Sequence, residues 1–382
     1  MTEFRILQLC TAFPPGGVQR HILDVSAWLR ARNWRVAFGG TPGAWMNEEI
    51  DPEFFSVDIA SVAAYGGALP RRVVAAHATA RRLRQILKQE HFDLIHTHDT
   101  APALVAKLAS FDMKIPIALT FHGAEPKRVR EFGMIAKRCA DHVLTPSRMS
   151  ADELAEVSGI PREKIHATGL GVHQPPAMKD ADILSLRRRF LGEGDTLIVS
   201  IARLAHQKAI DHLVAVAKRV HARHPGARFV IVGDGPQRRE AETWIREAGL
   251  GGVVKLAGAS NIAHLFLAAS DIFFLPSRWE SLPITIVEAF RASLPVVATD
   301  TGGVKELVDD SVGAVTPVGD IDALTERLSA FVSDKALRSA CAATAQKRSR
   351  EDRFDPDAVN QKMADLYLEM ISPARDQRRA NG

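Results

Sequence analysis

The chain has 382 residues, of which 46% are hydrophobic and 25% charged, with a net charge of +4. That length accommodates two ordinary domains, no apolar run is long enough to span a bilayer, and the charge is too small to indicate nucleic acid. Three cysteines without paired spacing, Cys10, Cys139 and Cys341, exclude a disulfide framework and a cysteine-rich metal site and fit a reducing cytoplasm.

Residues 4–10 read as a strand rather than a signal peptide. Residues 18–32 read as an amphipathic helix, with Ile22, Val25 and Leu29 at helical spacing. Between them lies Phe13-Pro-Pro-Gly-Gly-Val-Gln-Arg-His21. Gly16 and Gly17 there allow a close backbone approach to an anion at a helix start, or simply a tight turn. Further strands are expected at 34–38, 54–59, 92–97, 115–121 and 142–145, with helices between most of them, notably 70–89. The segments 92–98 and 117–123 close on His98 and on His122-Gly123, and this alternation places both histidines at carboxyl strand ends. No acid or cysteine accompanies them at metal-ligand spacing, so no metal is expected. His96 alternates with His98 and reads as packed. His122, followed by Gly123, reads as functional, with a capping or core histidine as the alternative.

Two segments of this half are strongly basic. Residues 70–88 carry six cations and no acid, and residues 126–138 carry five cations against one acid. Such helices present either a solvated face or a seat for anionic lipid.

Residues 172–182, rich in proline and polar side chains, read as a linker. Strand patterns then resume at 197–201, 229–232, 253–256, 272–275, 296–298 and 313–315, so parallel sheets flanked by helices are expected in both halves. The domain reading is 1–173, a hinge at 174–182, 183–355, a C-terminal helix at 356–373 that could return to the first domain, and a mobile tail at 374–382.

The second half carries most of the charge that could do chemistry. Arg203 and Lys208 leave the end of its first strand five residues apart, a spacing that could neutralise a diphosphate or merely decorate a basic loop. The strand 229–232 ends in Gly233-Asp-Gly-Pro236, a sharp turn shaped by Asp234, without the full dinucleotide fingerprint. The segment Ser277-Arg-Trp-Glu-Ser-Leu-Pro-Ile-Thr-Ile-Val-Glu288 runs from a buried strand through a polar loop into a helix, with Pro283 suited to the first turn. Glu280 precedes the helix start and Glu288 lies on the helix, so the two acids could grip both halves of a nucleotide sugar. Asp320-Ile-Asp322 could be taken for a metal pair, but Asp320 reads as a helix cap.

Together these segments resemble the family 4 glycosyltransferases of the GT-B fold. The resemblance rests on Ile201-Ala-Arg-Leu with Lys208, on Val230-Ile-Val-Gly-Asp-Gly-Pro, on Glu280-x7-Glu288 and on the stretch from Pro295 to Glu306. Gly16-Gly17-Val18 leading to His21, and Thr120-Phe-His122-Gly123, match as well. The resemblance implies α/β architecture: two Rossmann-like, doubly wound domains with an interdomain cleft. It also implies retaining, metal-independent transfer from a nucleotide sugar, a UDP-sugar with a GDP-sugar as the alternative, and no cofactor. The acceptor would be a glycan, a lipid-linked saccharide or a small molecule, with no nucleic acid involved, in a cytoplasmic protein with room for peripheral contact with an anionic membrane.

The same resemblance gives Arg203 and Lys208 to the diphosphate, Glu288 to the ribose and Glu280 to the sugar near its reactive carbon. Ser281, Leu282 and Pro283 would lie by the phosphates and sugar, and Gly16, Gly17 and Gly233 would line the donor side. His122 would approach the donor sugar, with His21 and His98 as acceptor-side candidates. The chain departs from the family pattern at Ala209, Leu294 and Gly169-Leu-Gly-Val-His173. The competing readings are a sugar-nucleotide epimerase or phosphorylase of similar architecture and a non-catalytic nucleotide-sugar-binding subunit.

Overall fold

A computed structural model describes residues 4–14, 16–63 and 69–380. The chain divides into two units: residues 1–169 with 357–382, and residues 170–356.

The first unit is a seven-stranded parallel sheet of β1 (Arg5–Ala12), β2 (Arg35–Thr41), β3 (Phe54–Ser56), β4 (Leu94–Thr97), β5 (Ile117–Thr120), β6 (His142–Thr145) and β7 (Ile165–Ala167). Their order is β3-β2-β1-β4-β5-β6-β7. The second unit is a six-stranded parallel sheet of β8 (Thr196–Ile201), β9 (Ala227–Val232), β10 (Val254–Gly258), β11 (Ile272–Leu275), β12 (Val296–Thr299) and β13 (Gly313–Thr316), in the order β10-β9-β8-β11-β12-β13. Both orders reverse direction once, between β1 and β4 and between β8 and β11. In doubly wound folds, ligands collect outside the carboxyl ends at that reversal. The expected pair of doubly wound α/β domains is therefore present.

Both sheets are covered on both faces, and the period-2 pattern of the strands divides their side chains. In β1, Ile6 faces one core with Val36, Phe38 and Leu94, while Leu7 and Leu9 face the other with Ile95 and Leu83. In β8, Ile198 faces Phe229 and Ile231, while Leu197 and Val199 pack with Phe273 and Phe290.

The last helix, Pro356–Ala380, packs Met363, Tyr367, Met370 and Ile371 against Ile6, Phe38 and Leu94. A C-terminal segment thus closes one face of the N-terminal sheet. The helix runs on through Pro373 to Ala380. The residues that follow Pro373 are good helix formers, and they extend the helix into the stretch read from sequence as a tail; 381 and 382 lie outside the described residues. Leu170 and Val172 donate backbone hydrogen bonds to Arg353 and Phe354, which makes them part of the second unit. Asp180 opens a helix to Leu191, so the extended stretch after them is short.

Among the described residues, no helix is long and apolar enough to cross a membrane.

Candidate functional site

In the second unit the candidate residues gather at the carboxyl ends of β8, β9 and β11. Beyond β8 the chain is stitched to the turn after β9: Ala202 N–H donates to Val232 O and Leu204 N–H to Asp234 O, both at 3.0 Å. Gly233 has φ +144°, and a Cβ there would stand 2.0 Å from Ala202 O. No other residue permits this approach, so Gly233 has a packing reason to be glycine. Asp234 accepts from Gly235 N–H at 2.7 Å, as a turn-shaping residue should. The stitched loops leave Arg203 exposed.

A short 3-10 turn, His206–Lys208, then delivers Lys208. Its ammonium Nζ lies 2.5 Å from Glu280 Oε1, with the two side chains 17% and 6% exposed. The partners are 72 residues apart in sequence. Their loop, 277–281, is laced from two sides. On one side Arg278 forks onto Asp211 at 2.5 and 3.0 Å and donates to His206 O at 2.9 Å. Arg278 N–H donates to Gln207 O, and Gln207 Nε2 donates to Trp279 O. On the other side Thr299 Oγ1 donates to Ser277 O at 2.5 Å and Gly303 N–H to Ser281 O at 2.6 Å. Gly302, at φ +52°, brings its backbone so near that a Cβ would stand 2.1 Å from Glu280 O. A bidentate guanidinium–carboxylate pair is directional, so it fixes the loop's orientation as well as its distance.

The helix Ile284–Arg291 begins directly after this loop, with Pro283 as its N-cap rather than inside its first turn. Its first N–H groups lack intrahelical acceptors and carry partial positive charge, a setting suited to phosphate. Ser281 and Leu282, just ahead of it, are buried. The hydroxyls of Ser281 and Thr285 are buried with no hydrogen-bond partner, which leaves polar groups unsatisfied beside the helix start. Glu288 is half-buried on the same helix. Burial pushes its carboxyl up to about 7, with Arg291 pulling the other way. A carboxyl in that state gains from any ligand that donates hydrogen bonds to it.

The first unit offers a different chemistry. The helix Gly17–Arg30 starts from Gly16, and a Cβ on Gly17 would meet no atom within 4 Å. Four histidines cluster near it. His98 Nε2 lies 2.8 Å from Gln8 Oε1, and His98 Nδ1 lies 3.2 Å from His122 Nε2. His96 is held at 2.6 Å on both nitrogens, by the Tyr367 hydroxyl and Thr120 Oγ1. The His21 ring stands 6.1 Å from His122 and 6.4 Å from His98, centroid to centroid. Burial lowers all four: His96 and His98 fall well below the ordinary value, His122 to about 3, and His21 less. The cluster is therefore neutral at physiological pH. Among the described residues no group of histidine, cysteine or acid side chains has metal-holding geometry.

The residues named from sequence fall into two sets. Arg203, Lys208, Gly233, Glu280, Ser281, Leu282, Pro283 and Glu288 come together in the second unit. Gly16, Gly17, His21, His98 and His122 lie in the first. His98, read from sequence as acceptor-facing, is 4% exposed with both ring nitrogens engaged, so it stands behind His122. Sequence reasoning missed Arg278 with Asp211, Gln8, and Tyr367. Each acts on a partner 67 to 271 residues away, and no local pattern marks such pairs. Asp320 caps the helix Ile321–Ser333 by accepting from Ala323 N–H, and Asp322 pairs with Arg219.

Two family profiles cover most of the chain: "Glycosyltransferase Family 4" matches residues 15–174 and "Glycosyl transferases group 1" matches residues 185–348. The chain is 26% identical to the alpha-D-kanosaminyltransferase of Streptomyces kanamyceticus over 76% of this chain and 80% of that one. It is 26% identical to the phosphatidyl-myo-inositol mannosyltransferase of Mycolicibacterium smegmatis over 94% of this chain and 92% of that one. Among solved structures it resembles Anabaena HepE in complex with UDP-glucose, with a TM-score of 0.77 and 23% identity over 96% of this chain and 100% of that one.

Proposed function

The chain belongs to the family 4, group 1 glycosyltransferases and is an enzyme that moves sugar from a nucleotide-sugar donor, and we propose the residues by which it does so. The observation that carries the proposal is the Lys208–Glu280 pair at 2.5 Å, held beside the start of the helix Ile284–Arg291. Cleaving a sugar–phosphate bond leaves a diphosphate whose growing charge must be stabilised. Arg203, Lys208 and the helix N-terminus supply positive charge for it. Glu280 sets the direction of the Lys208 ammonium and presents a carboxylate at the sugar. Glu288 accepts the two ribose hydroxyls. His122, neutral, meets the sugar through hydrogen bonding rather than charge, and Gly17 leaves space for a ligand at the first unit's helix start. The donor is a UDP-sugar, as in the UDP-glucose complex of HepE, and transfer is retaining.

The test is a nucleotide-release assay across UDP- and GDP-sugars with the purified full-length chain. Release of UDP from one donor, lost in both Lys208→Ala and Glu280→Gln, is the expected result. Near-normal turnover in either folded variant refutes the site. Isomerised sugar nucleotide without release would instead identify an epimerase, and binding without turnover a non-catalytic subunit.

A lipid-linked acceptor is supported by one surface. In the first unit the neighbouring helices Leu69–Gln89, Thr100–Ala109 and Pro126–Cys139 expose Val73, Val74, Leu104, Leu108 and Met134, and Phe111, just beyond the second of them, is 73% exposed. Leu104, Leu108 and Phe111 follow helical spacing. The same helices also expose Arg71, Arg81, Arg82, Lys88, Lys107, Lys127, Arg130, Lys137 and Arg138, against the exposed acids Glu131 and, just past the second helix, Asp112. Exposed apolar side chains on helices with an excess of exposed cations fit the interface of an anionic bilayer. Flotation with phosphatidylglycerol vesicles but not neutral ones is expected, and it should weaken with Phe111→Ser; equal flotation with both removes this reading.

A further inference from the structure

Gln8, His98 and His122 lie on successive strands of the first sheet, within β1, just past β4 and just past β5. Gln8 is fully buried and His98 4% exposed, so water does not compete for their contacts. The amide oxygen of Gln8 can only accept, and it lies 2.8 Å from His98 Nε2, which therefore carries the proton. A neutral imidazole has one proton, so His98 Nδ1 is bare. The 3.2 Å contact between His98 Nδ1 and His122 Nε2 then requires the proton to sit on His122 Nε2. Only His122 Nδ1 is left, and it too is bare.

We infer that Gln8 and His98 are positioning residues that hold His122 in one neutral tautomer, with its Nδ1 lone pair offered as a hydrogen-bond acceptor to a sugar hydroxyl. The ligand class rests on the glycosyltransferase reading above; the relay itself does not. An amide suits the first place in the relay better than a carboxylate would. A carboxylate beside His98 would draw that ring toward the charged state, and a charged His98 would donate from Nδ1 and reverse the relay. Gln8 orients without charging. His122 so held cannot donate a proton to the ligand, because its one N–H is spent on His98; it selects for a hydroxyl that points at it.

The experiment uses the full-length, ligand-free chain labelled with 15N-histidine. Long-range 1H–15N correlation reads which ring nitrogen carries the proton, and the His122 signals are those lost in His122→Asn. A protonated Nε2 and a bare Nδ1 are expected. In Gln8→Leu the same signals should report a mixture of tautomers, and kcat/KM for the donor should fall about tenfold, the worth of one well-placed hydrogen bond. A proton on Nδ1 in the unsubstituted chain overturns the proposal. So does an unchanged His122 tautomer, or an unchanged kcat/KM, in Gln8→Leu. If Gln8→Leu does not fold, the unsubstituted spectrum still decides the tautomer. Failure of nucleotide release with the expected spectrum would reject the substrate class and leave the relay standing.

Discussion

The two units share a fold and a place for ligands, yet equip that place in opposite ways. The second unit puts formal charges at its strand ends: Arg203, Lys208 and Glu280, the last two paired at 2.5 Å, with Glu288 nearby on a helix. The first unit puts a neutral histidine cluster at the equivalent ends, with burial holding His122 down to about 3. Charge suits a phosphate, whose own charge develops as its bond breaks. Neutral acceptors and donors suit hydroxyls, which are many, uncharged and told apart by direction. Doubly wound topology fixes where chemistry can happen, and the side chains at the strand ends decide which kind.

The comparison breaks most readily at Lys208. Removing one preorganised positive group from a developing oxyanion costs about 10²–10³ in rate. Lys208→Ala should lower kcat/KM by that order in a donor-turnover assay, and it should also lower stability, because Glu280 is left buried without its partner. Glu280→Gln keeps a neutral partner for the lysine and should cost activity with less stability. If Lys208→Ala costs under fivefold, charge is not what the second unit contributes.

Glu288 tests the same contrast by pH. Its folded carboxyl is raised to about 7 from an ordinary 4.5, so burial disfavours its charged form. Folding is therefore not penalised below about pH 4.5, is penalised increasingly as pH rises toward 7, and is penalised fully above that. Glu288→Gln should raise the ligand-free chain's stability at pH 8 by about 2 kcal/mol, after allowing for partial exposure, and leave it nearly unchanged at pH 4.5. Denaturant titrations of both proteins at the two pH values measure this; a gain equal at both values would trace to packing instead. The substitution should at the same time weaken nucleotide binding, because an amide accepts fewer hydrogen bonds than a carboxylate.

How far the sequence disclosed these sites follows from how local each feature is. Strands such as 142–145 and 272–275 appear in the structure with the bounds expected, because buried parallel strands are short apolar runs with clear punctuation. Strand β7 passed unnoticed: it has three residues and carries His166 in its middle. Arg203, Lys208 and Glu280, past strand ends, and Glu288, on the helix that follows, stand out by residue type and spacing. What orients them does not. The Arg278–Asp211 fork joins residues 67 apart, and each alone looks like a surface charge. Arg278→Ala should release the Glu280 loop and lower kcat/KM about tenfold, the effect of a small misplacement of aligned groups. Arg278→Lys should rescue little, since an ammonium cannot fork onto a carboxylate. Full activity in Arg278→Ala would show that the hydrogen bonds Gln207, Thr299 and Gly303 make to the loop's backbone suffice.

Ala209 gives the smallest effect and isolates the backbone beneath the charged site. It follows Lys208 directly, is fully buried, and sits in the left-handed region at φ 50° and ψ 52° as the N-cap of the helix Ile210–Arg223. That conformation costs an alanine roughly 1 kcal/mol. Ala209→Gly removes the cost, but it also removes a buried methyl and loosens the unfolded chain, two losses of about 0.5–1 kcal/mol each. The opposing terms nearly cancel, so the melting temperature should move by no more than about 3 °C and turnover should stay within about twofold. Ala209→Val has no such balance: a β-branched residue fits this region badly, and the added methyls would have to be taken into a fully buried site, so destabilisation should exceed about 2 kcal/mol. Should Ala209→Gly instead lower turnover while stability holds, the rigidity of alanine at this turn would itself be aiming Lys208, and the second unit's charge would depend on backbone stiffness as the first unit's histidine depends on its relay.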